Sequence, residues 1–304
     1  MHALLIDHVT KRYGHSTVVE DLSFEVQPGR VTGFLGPNGA GKSTTMKVLL
    51  DLASADEGRA TIGGARFCEL RDPVRTVGVV LEPNAFHPAR TGRNHLRILA
   101  DGADIPQGRA DEMLRLVSLE GAGDRKVGAY SLGMRQRLGL AAALLGDPPV
   151  LILDEPGNGL DPQGIRWLRD LLRLRAENGN TVFVSSHLLS EVEHLVDDVV
   201  VIDRGRLVVT GAIEDLETAG TTVRTPSPGP LAGVLETAGA KVRPRDDGSL
   251  MVEGLPIGEI GYRAHEAGIA LYELSPRSGS LEELFIGWTS GEEADEPAKE
   301  VVRA

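Results

Sequence analysis

The chain has 304 residues, 41% of them hydrophobic and 25% charged, with a formal net charge of -12 at pH 7. This is ordinary globular composition, long enough for one domain of about 200 residues and a smaller one, so general disorder is not the default. The negative balance opposes a broad nucleic-acid footprint, and no nucleic-acid partner is expected; a single cysteine, Cys68, excludes an internal disulfide and is expected as a small buried or half-buried thiol.

The opening "MHALLIDHVTKRYG" carries acidic and basic residues by position 12 and no small-residue cleavage site, so it is not read as a secretory signal. "ALLIDHVTKRYG" and "VVEDLSFEVQPG" alternate as antiparallel strands do. "RVTGFLGP", "TVGVVLE", "PPVLILDEP" and "NTVFVSSH" are short apolar runs with little room for a solvated face. Between them, "GKSTTMKVLLDLAS", "SLGMRQRLGLAAALLG" and "PQGIRWLRDLLRLRAENG" have helical period, the last stopping at Gly179. The expected fold is therefore α/β, a mostly parallel sheet with an antiparallel flank. The longest apolar stretch is broken by Asp147 and two prolines, short of the roughly 20 residues a membrane-crossing helix needs, so any membrane role is expected to come through a partner.

Composition changes near residue 220, where "TAGTTVRTPSPGP" reads as a linker running into an edge strand. Beyond it the order strand-helix-strand-strand-helix-strand predicts a small ferredoxin-like α+β domain over 219–289, with "SLEELFIGW" as a last helix capped by Ser280. The acidic stretch 290–304 is expected to be a disordered tail.

Chemistry concentrates in three places. "GPNGAGKST", residues 36–44, fits G-x-x-x-x-G-K-[ST] directly after a strand and before a helix. Gly36, Gly39 and Gly41 let the backbone curl so that N–H groups point at phosphate oxygens; Lys42 supplies charge to the β- and γ-phosphates, and Ser43 can place its hydroxyl on Mg²⁺. Thr44 is expected at the α-phosphate or in packing. "VLILDEP" ends a buried strand on Asp154 and Glu155, where Asp154 would hold Mg²⁺ and Glu155 would deprotonate an attacking water; a pair of acids in a surface turn is the competing reading. "VFVSSH" delivers His187 to another strand end, as a γ-phosphate contact or as a structural cap.

"GPNGAGKST", "YSLGMRQRL", "VLILDEP", "GLDP" and "SSH" follow in the order and rough spacing of an ATP-binding cassette, the motor domain of ABC transporters. The chain resembles that family over about residues 3 to 218, with a helical subdomain at about 85–148. The resemblance implies ATP and Mg²⁺ as ligands, with Pro37, Asn38 and Ala40 completing the phosphate loop. It implies that Ser131 and Gly133 bind the γ-phosphate of a nucleotide held by the opposite subunit, which a hydroxyl, an unhindered backbone and a helix N-terminus can do without a titratable group. It also implies that Tyr13 stacks on adenine, a role that competes with core packing, and that Asp161 lies in the loop between the two sites of a dimer. With one cassette per chain, a head-to-tail homodimer is the simplest assembly.

Three departures stand out: Leu132 and Met134 replace a glycine and a glutamine of the usual signature, Gly157 follows "DEP", and Glu82 occupies the position of a Mg²⁺-sensing glutamine. The signature form, Glu82 and the small C-terminal domain resemble the bacterial exporter branch that includes daunorubicin-type and bacitracin-type resistance ATPases. That implies a separate transmembrane permease, attachment at the cytoplasmic face of the membrane, and a contact surface around residues 82–95, where His87, Arg90, Arg93, His95 and Arg97 are expected as a cationic cluster, a solvated helix face being the competing reading. The alternatives are an importer ATPase, or a soluble cassette ATPase of repair or translation, which would need a long insertion or two cassettes in one chain.

Overall fold

A computed structural model describes residues 4–81, 86–186, 195–213, 220–245, 247–276 and 299–300. The two alternating segments become β1 (Leu4–Tyr13) and β2 (Ser16–Val26), an antiparallel pair. After β3 (Val31–Leu35) and α1 (Lys42–Leu49) the chain returns as β4 (Glu57–Ile62), antiparallel to β1, so the flank is a three-stranded sheet ordered β2-β1-β4.

A short α2 (Pro73–Thr76) leads into β5 (Val77–Val80). The helical subdomain follows: α3 (Gly92–Gly102), α4 (Gly108–Leu116) and α5 (Leu132–Ala143). Then β6 (Val150–Leu153), α6 (Pro162–Glu177), β7 (Thr181–Ser186), β8 (Asp198–Asp203) and β9 (Arg206–Ala212) complete the main sheet. Its order is β14-β9-β8-β3-β7-β6-β5, where β14 is the two-residue strand Lys299–Glu300. The pairs β8/β3, β3/β7, β7/β6 and β6/β5 are parallel. Every residue of β3, β6 and β7 is buried, as strands covered on both faces require. Phe24 of β2, Phe34 of β3 and Phe183 of β7 meet with ring centroids 5.1–5.8 Å apart and tie the flank to the main sheet.

Helix ends follow local chemistry. Asp161 caps α6 by accepting from Gly164 N–H at 2.8 Å, Pro162 takes the first helical position, and Leu168, Leu172 and Ala176 form the buried stripe. Gly179, at φ 83°, ends the helix; Gly179 N–H donates to the Ala176 carbonyl and Asn180 N–H to the Arg175 carbonyl, a Schellman closure.

The chain divides into two units, the first comprising 1–210 and 293–300, the second 211–292 and 301–304. The second contains β10 (Thr221–Arg224), α7 (Pro228–Thr237), β11 (Lys241–Pro244), β12 (Leu250–Glu253), α8 (Ile257–Glu266) and β13 (Glu273–Pro276). Its sheet is ordered β11-β12-β10-β13 with every pair antiparallel, the ferredoxin-like arrangement expected, over a core that includes Val223, Leu231, Leu235, Val252 and Ile260.

Two sequence expectations meet different facts. Cys68 is exposed, because its backbone N–H is held at the surface by Asp51 (2.9 Å). Within the stretch read as a tail, Lys299 and Glu300 pair in parallel with Val209 and Thr210, since β9 offers unpaired backbone groups. The helix assigned to "SLEELFIGW", with Ser280, lies outside the described residues.

Candidate nucleotide site

The loop after β3 sits at the carboxyl end of a parallel strand in the middle of the sheet, where open α/β sheets bind ligands. Gly41 precedes α1 with φ 107°, a conformation only glycine holds easily, and a Cβ there would lie 2.8 Å from the Val18 carbonyl oxygen. No side chain caps α1, and its first residues, Lys42, Ser43 and Thr44, line the cleft above the loop. That cleft, of about 230 Å³, is lined by Val18, every residue from Pro37 to Thr44, and Glu155.

Lys42 is 7% exposed, and its ammonium donates to the carbonyls of Gly36 (2.6 Å) and Pro37 (3.2 Å). Burial pushes its pKa below the usual lysine range, opposed by the charges of Glu155 and Asp154. Gly36 is tightly enclosed: a Cβ would stand 2.4 Å from the Ile202 carbonyl oxygen of β8. Gly36→Ala is expected to cost about 1–3 kcal/mol through overpacking, read as a lower urea midpoint with unchanged slope; an unaltered midpoint would show that the loop yields freely.

The second half of the site comes from β6 and β7. Ser43 Oγ donates to Asp154 Oδ2 at 2.7 Å, and Ser185 Oγ donates to Asp154 Oδ1 at 2.5 Å. The same Ser185 oxygen accepts from the Glu155 N–H at 2.9 Å. Glu155 has φ 49°, a left-handed conformation costing a non-glycine residue about 1 kcal/mol or more, held by that hydrogen bond and by Asn158 N–H on its carbonyl. The carboxylate pair is therefore a built feature beside the phosphate loop and not a loose surface turn. Ser185 is a site residue that the sequence signals only as a hydroxyl at the end of a buried strand, within "SSH".

Among the described residues no group of three or more His, Cys, Asp or Glu side chains could hold a metal. A hydroxyl and one carboxylate, Ser43 and Asp154, are nonetheless the hard-oxygen set that a Mg²⁺ bound mainly by phosphates and water uses, so the residues fit that ion. His187 and Glu82 lie outside the described residues.

Ser131, Gly133 and Asp161 do not line the cleft. They gather elsewhere: exposed Ser131 caps α5 by accepting from Met134 N–H at 3.2 Å, and Gly133 is pressed so closely on Gly159 that a Cβ would stand 2.5 Å from its carbonyl oxygen. Arg137 Nη2 lies 3.8 Å from Asp161 Oδ1, with its guanidinium over the Trp167 ring. Tyr13 is 51% exposed with Lys11 Nζ 5.2 Å from its ring centroid, so it is not a core residue; it shares a hairpin with Val18 of the cleft wall. The cationic cluster expected around residues 87–97 is partly neutralised: Arg93 pairs with Asp111 and with Asp124 (2.9 Å), and Arg97 with Asp111 (3.5 Å). His95 packs edge-on against Phe86 and burial lowers its pKa, so it adds little positive charge.

A phosphate loop at a central strand, an adjacent carboxylate pair and a separate capped serine-glycine helix start define a P-loop nucleotide-binding protein. Residues 19–158 match the family described as "ABC transporter", and residues 219–282 match a domain of unknown function (DUF8746). The chain is 41% identical over 213 residues to the bacitracin transport ATP-binding protein BcrA of Enterococcus faecalis, covering 69% of each. It is 34% identical over 298 residues to an uncharacterized ABC transporter ATP-binding protein, YdbJ, of Bacillus subtilis (strain 168), covering 96% of this chain and 97% of the relative. A solved "ATP binding subunit of ABC transporter" superposes with a TM-score of 0.65 at 28% identity, over 70% of this chain and 91% of that one. The chain belongs to the ATP-binding proteins of ABC transporters. Among the described residues no helix is long and apolar enough to cross a membrane.

Proposed function

We propose that this chain is the ATP-hydrolysing subunit of an ABC exporter, working as a head-to-tail homodimer on a separate transmembrane permease at the cytoplasmic face of the membrane. The observation that carries the ATPase reading is the hydrogen-bonded run Ser43–Asp154–Ser185–Glu155 at the mouth of the phosphate loop. Gly36 to Thr44 would wrap the triphosphate, with Lys42 on the β- and γ-phosphates. Ser43 and Asp154 would hold Mg²⁺, which would supply charge neutralisation at the phosphates. Glu155 would take the proton from the attacking water, yielding ADP and inorganic phosphate. Beyond the described residues, His187 is assigned to the γ-phosphate and Glu82 to the metal shell.

The separation of Ser131 and Gly133 from the chain's own cleft supports their action on a partner's nucleotide. We assign residues 1–218 to the nucleotide-binding domain, 219–289 to an accessory domain and 290–304 to a tail. The export direction rests on similarity to the bacitracin transport protein. Its test is the neighbouring reading frame: a frame with about six hydrophobic spans should, when co-expressed, carry this chain into the membrane fraction. A neighbour encoding a periplasmic binding protein would favour import instead.

Tyr13 is assigned to the adenine. Tyr13→Ala should weaken binding of a fluorescent ATP analogue by about 1–3 kcal/mol, the worth of one base–aromatic stack, while Tyr13→Phe binds normally. Equal affinity in all three proteins would remove Tyr13 from the site.

A further inference from the structure

β7 is buried along its whole length, and Ser185 near its end is 0% exposed, so its hydroxyl has no bulk water to turn to and must find its partners inside the protein. It has two, and they belong to the two adjacent carboxylate residues: Ser185 Oγ donates to Asp154 Oδ1 at 2.5 Å and accepts from Glu155 N–H at 2.9 Å. A hydroxyl carries one proton. Because the Glu155 N–H can only donate, that proton is committed to Asp154, and the N–H polarises the O–H and strengthens it as a donor. Asp154 is itself 8% exposed, and its other oxygen accepts from Ser43 Oγ at 2.7 Å. Without Ser185, Asp154 Oδ1 loses a donor and Glu155 N–H an acceptor, the latter on a residue whose backbone stands at φ 49°.

We infer that Ser185 is a positioning residue that aims both acids with one hydroxyl. It fixes the plane of the Asp154 carboxylate, keeping Oδ2 turned toward Ser43 on the side assigned to the metal, and it pins the main chain from which the Glu155 side chain leaves. Metal affinity and placement of the general base are therefore set by the same group, as the partners that orient metal ligands elsewhere set affinity and activity together. The inference rests on the proposed Mg²⁺-dependent ATPase.

The experiment titrates Mg²⁺ against binding of a fluorescent ATP analogue, with EDTA as the metal-free reference, and follows steady-state kinetics beside it. In Ser185→Ala the Mg²⁺ concentration at the midpoint of the metal-dependent gain in binding should rise by about 10- to 100-fold, while affinity in EDTA is unchanged. Its kcat should fall by about 10- to 100-fold and stay low at saturating Mg²⁺, because the base is displaced as well. Ser185→Thr keeps the hydroxyl and should retain both properties. Ser185→Cys, a weak donor of similar shape, should lose both, and it decides the matter if the alanine variant does not fold. An unmoved Mg²⁺ midpoint would overturn the inference, as would an equal loss of affinity with and without Mg²⁺, which is packing alone. Full recovery of kcat at saturating Mg²⁺ would also overturn it, since Asp154 would then be the one group served. If Mg²⁺ does not tighten binding to the unaltered protein, it is the Mg²⁺-dependent ATPase reading that falls, and this inference with it.

Discussion

Glu155→Gln lowers the steady-state ATPase rate by about 10²- to 10⁴-fold, the usual worth of a positioned general base, while ATP binding survives. The amide is nearly isosteric and the Glu155 N–H bond to Ser185 is a backbone contact, so the loop keeps its shape. What disappears is the proposed proton acceptor. Binding without hydrolysis should hold the closed form, and size-exclusion chromatography with light scattering should show a dimer with ATP and a monomer without it. A variant that hydrolyses at more than a tenth of the normal rate would move the base elsewhere. A monomer under all conditions would mean that the second half of the site comes from another protein.

Ser131→Arg has the second large effect, and a mixing experiment shows where it acts. The change removes the α5 cap, about 1 kcal/mol, and places a bulky cation where a phosphate should approach. Alone, the variant should be inactive, as should Lys42→Ala. Mixed, they should regain activity: in a head-to-tail pair, one site receives an intact phosphate loop from one chain and an intact Ser131 from the other. Random pairing and one good site per mixed dimer put the ceiling at about a quarter of normal activity. No recovery would mean that Ser131 serves its own chain's nucleotide.

Much of this was legible in the sequence because it is written in short local patterns. The unbroken apolar runs "VTGFL" and "VLIL" could only be strands buried on both faces, and the βαββαβ order of the C-terminal segment dictated its sheet. The phosphate loop was read from glycine spacing, and Gly41 stands in a positive-φ turn before α1. What escaped was contact between distant segments. Nothing near Ser185 in sequence indicates that its hydroxyl will bridge Asp154 and Glu155, which come from the neighbouring strand. Leu132 could be noted as a departure, but its place against Gly159 depends on how α5 meets the loop before α6. The partial neutralisation of the cationic cluster escaped for the same reason, since Asp111 and Asp124 reach Arg93 from separate parts of the chain.

The bond arrangement around Ser185 bears on how the motor could be throttled. Both Asp154 oxygens accept from hydroxyls on different elements, and the Glu155 main chain is tied to one of those same hydroxyls, so the Asp154 carboxylate and the Glu155 backbone are held in one register. A cell wishing to idle such an engine has little to adjust on this side of the chamber. On the proposed head-to-tail pairing, control would fall instead on supply of the opposing wall: how often a second subunit arrives, and how squarely it seats. Idling consumption of ATP would then be set by encounter frequency, and would climb with protein concentration long before any cargo is present.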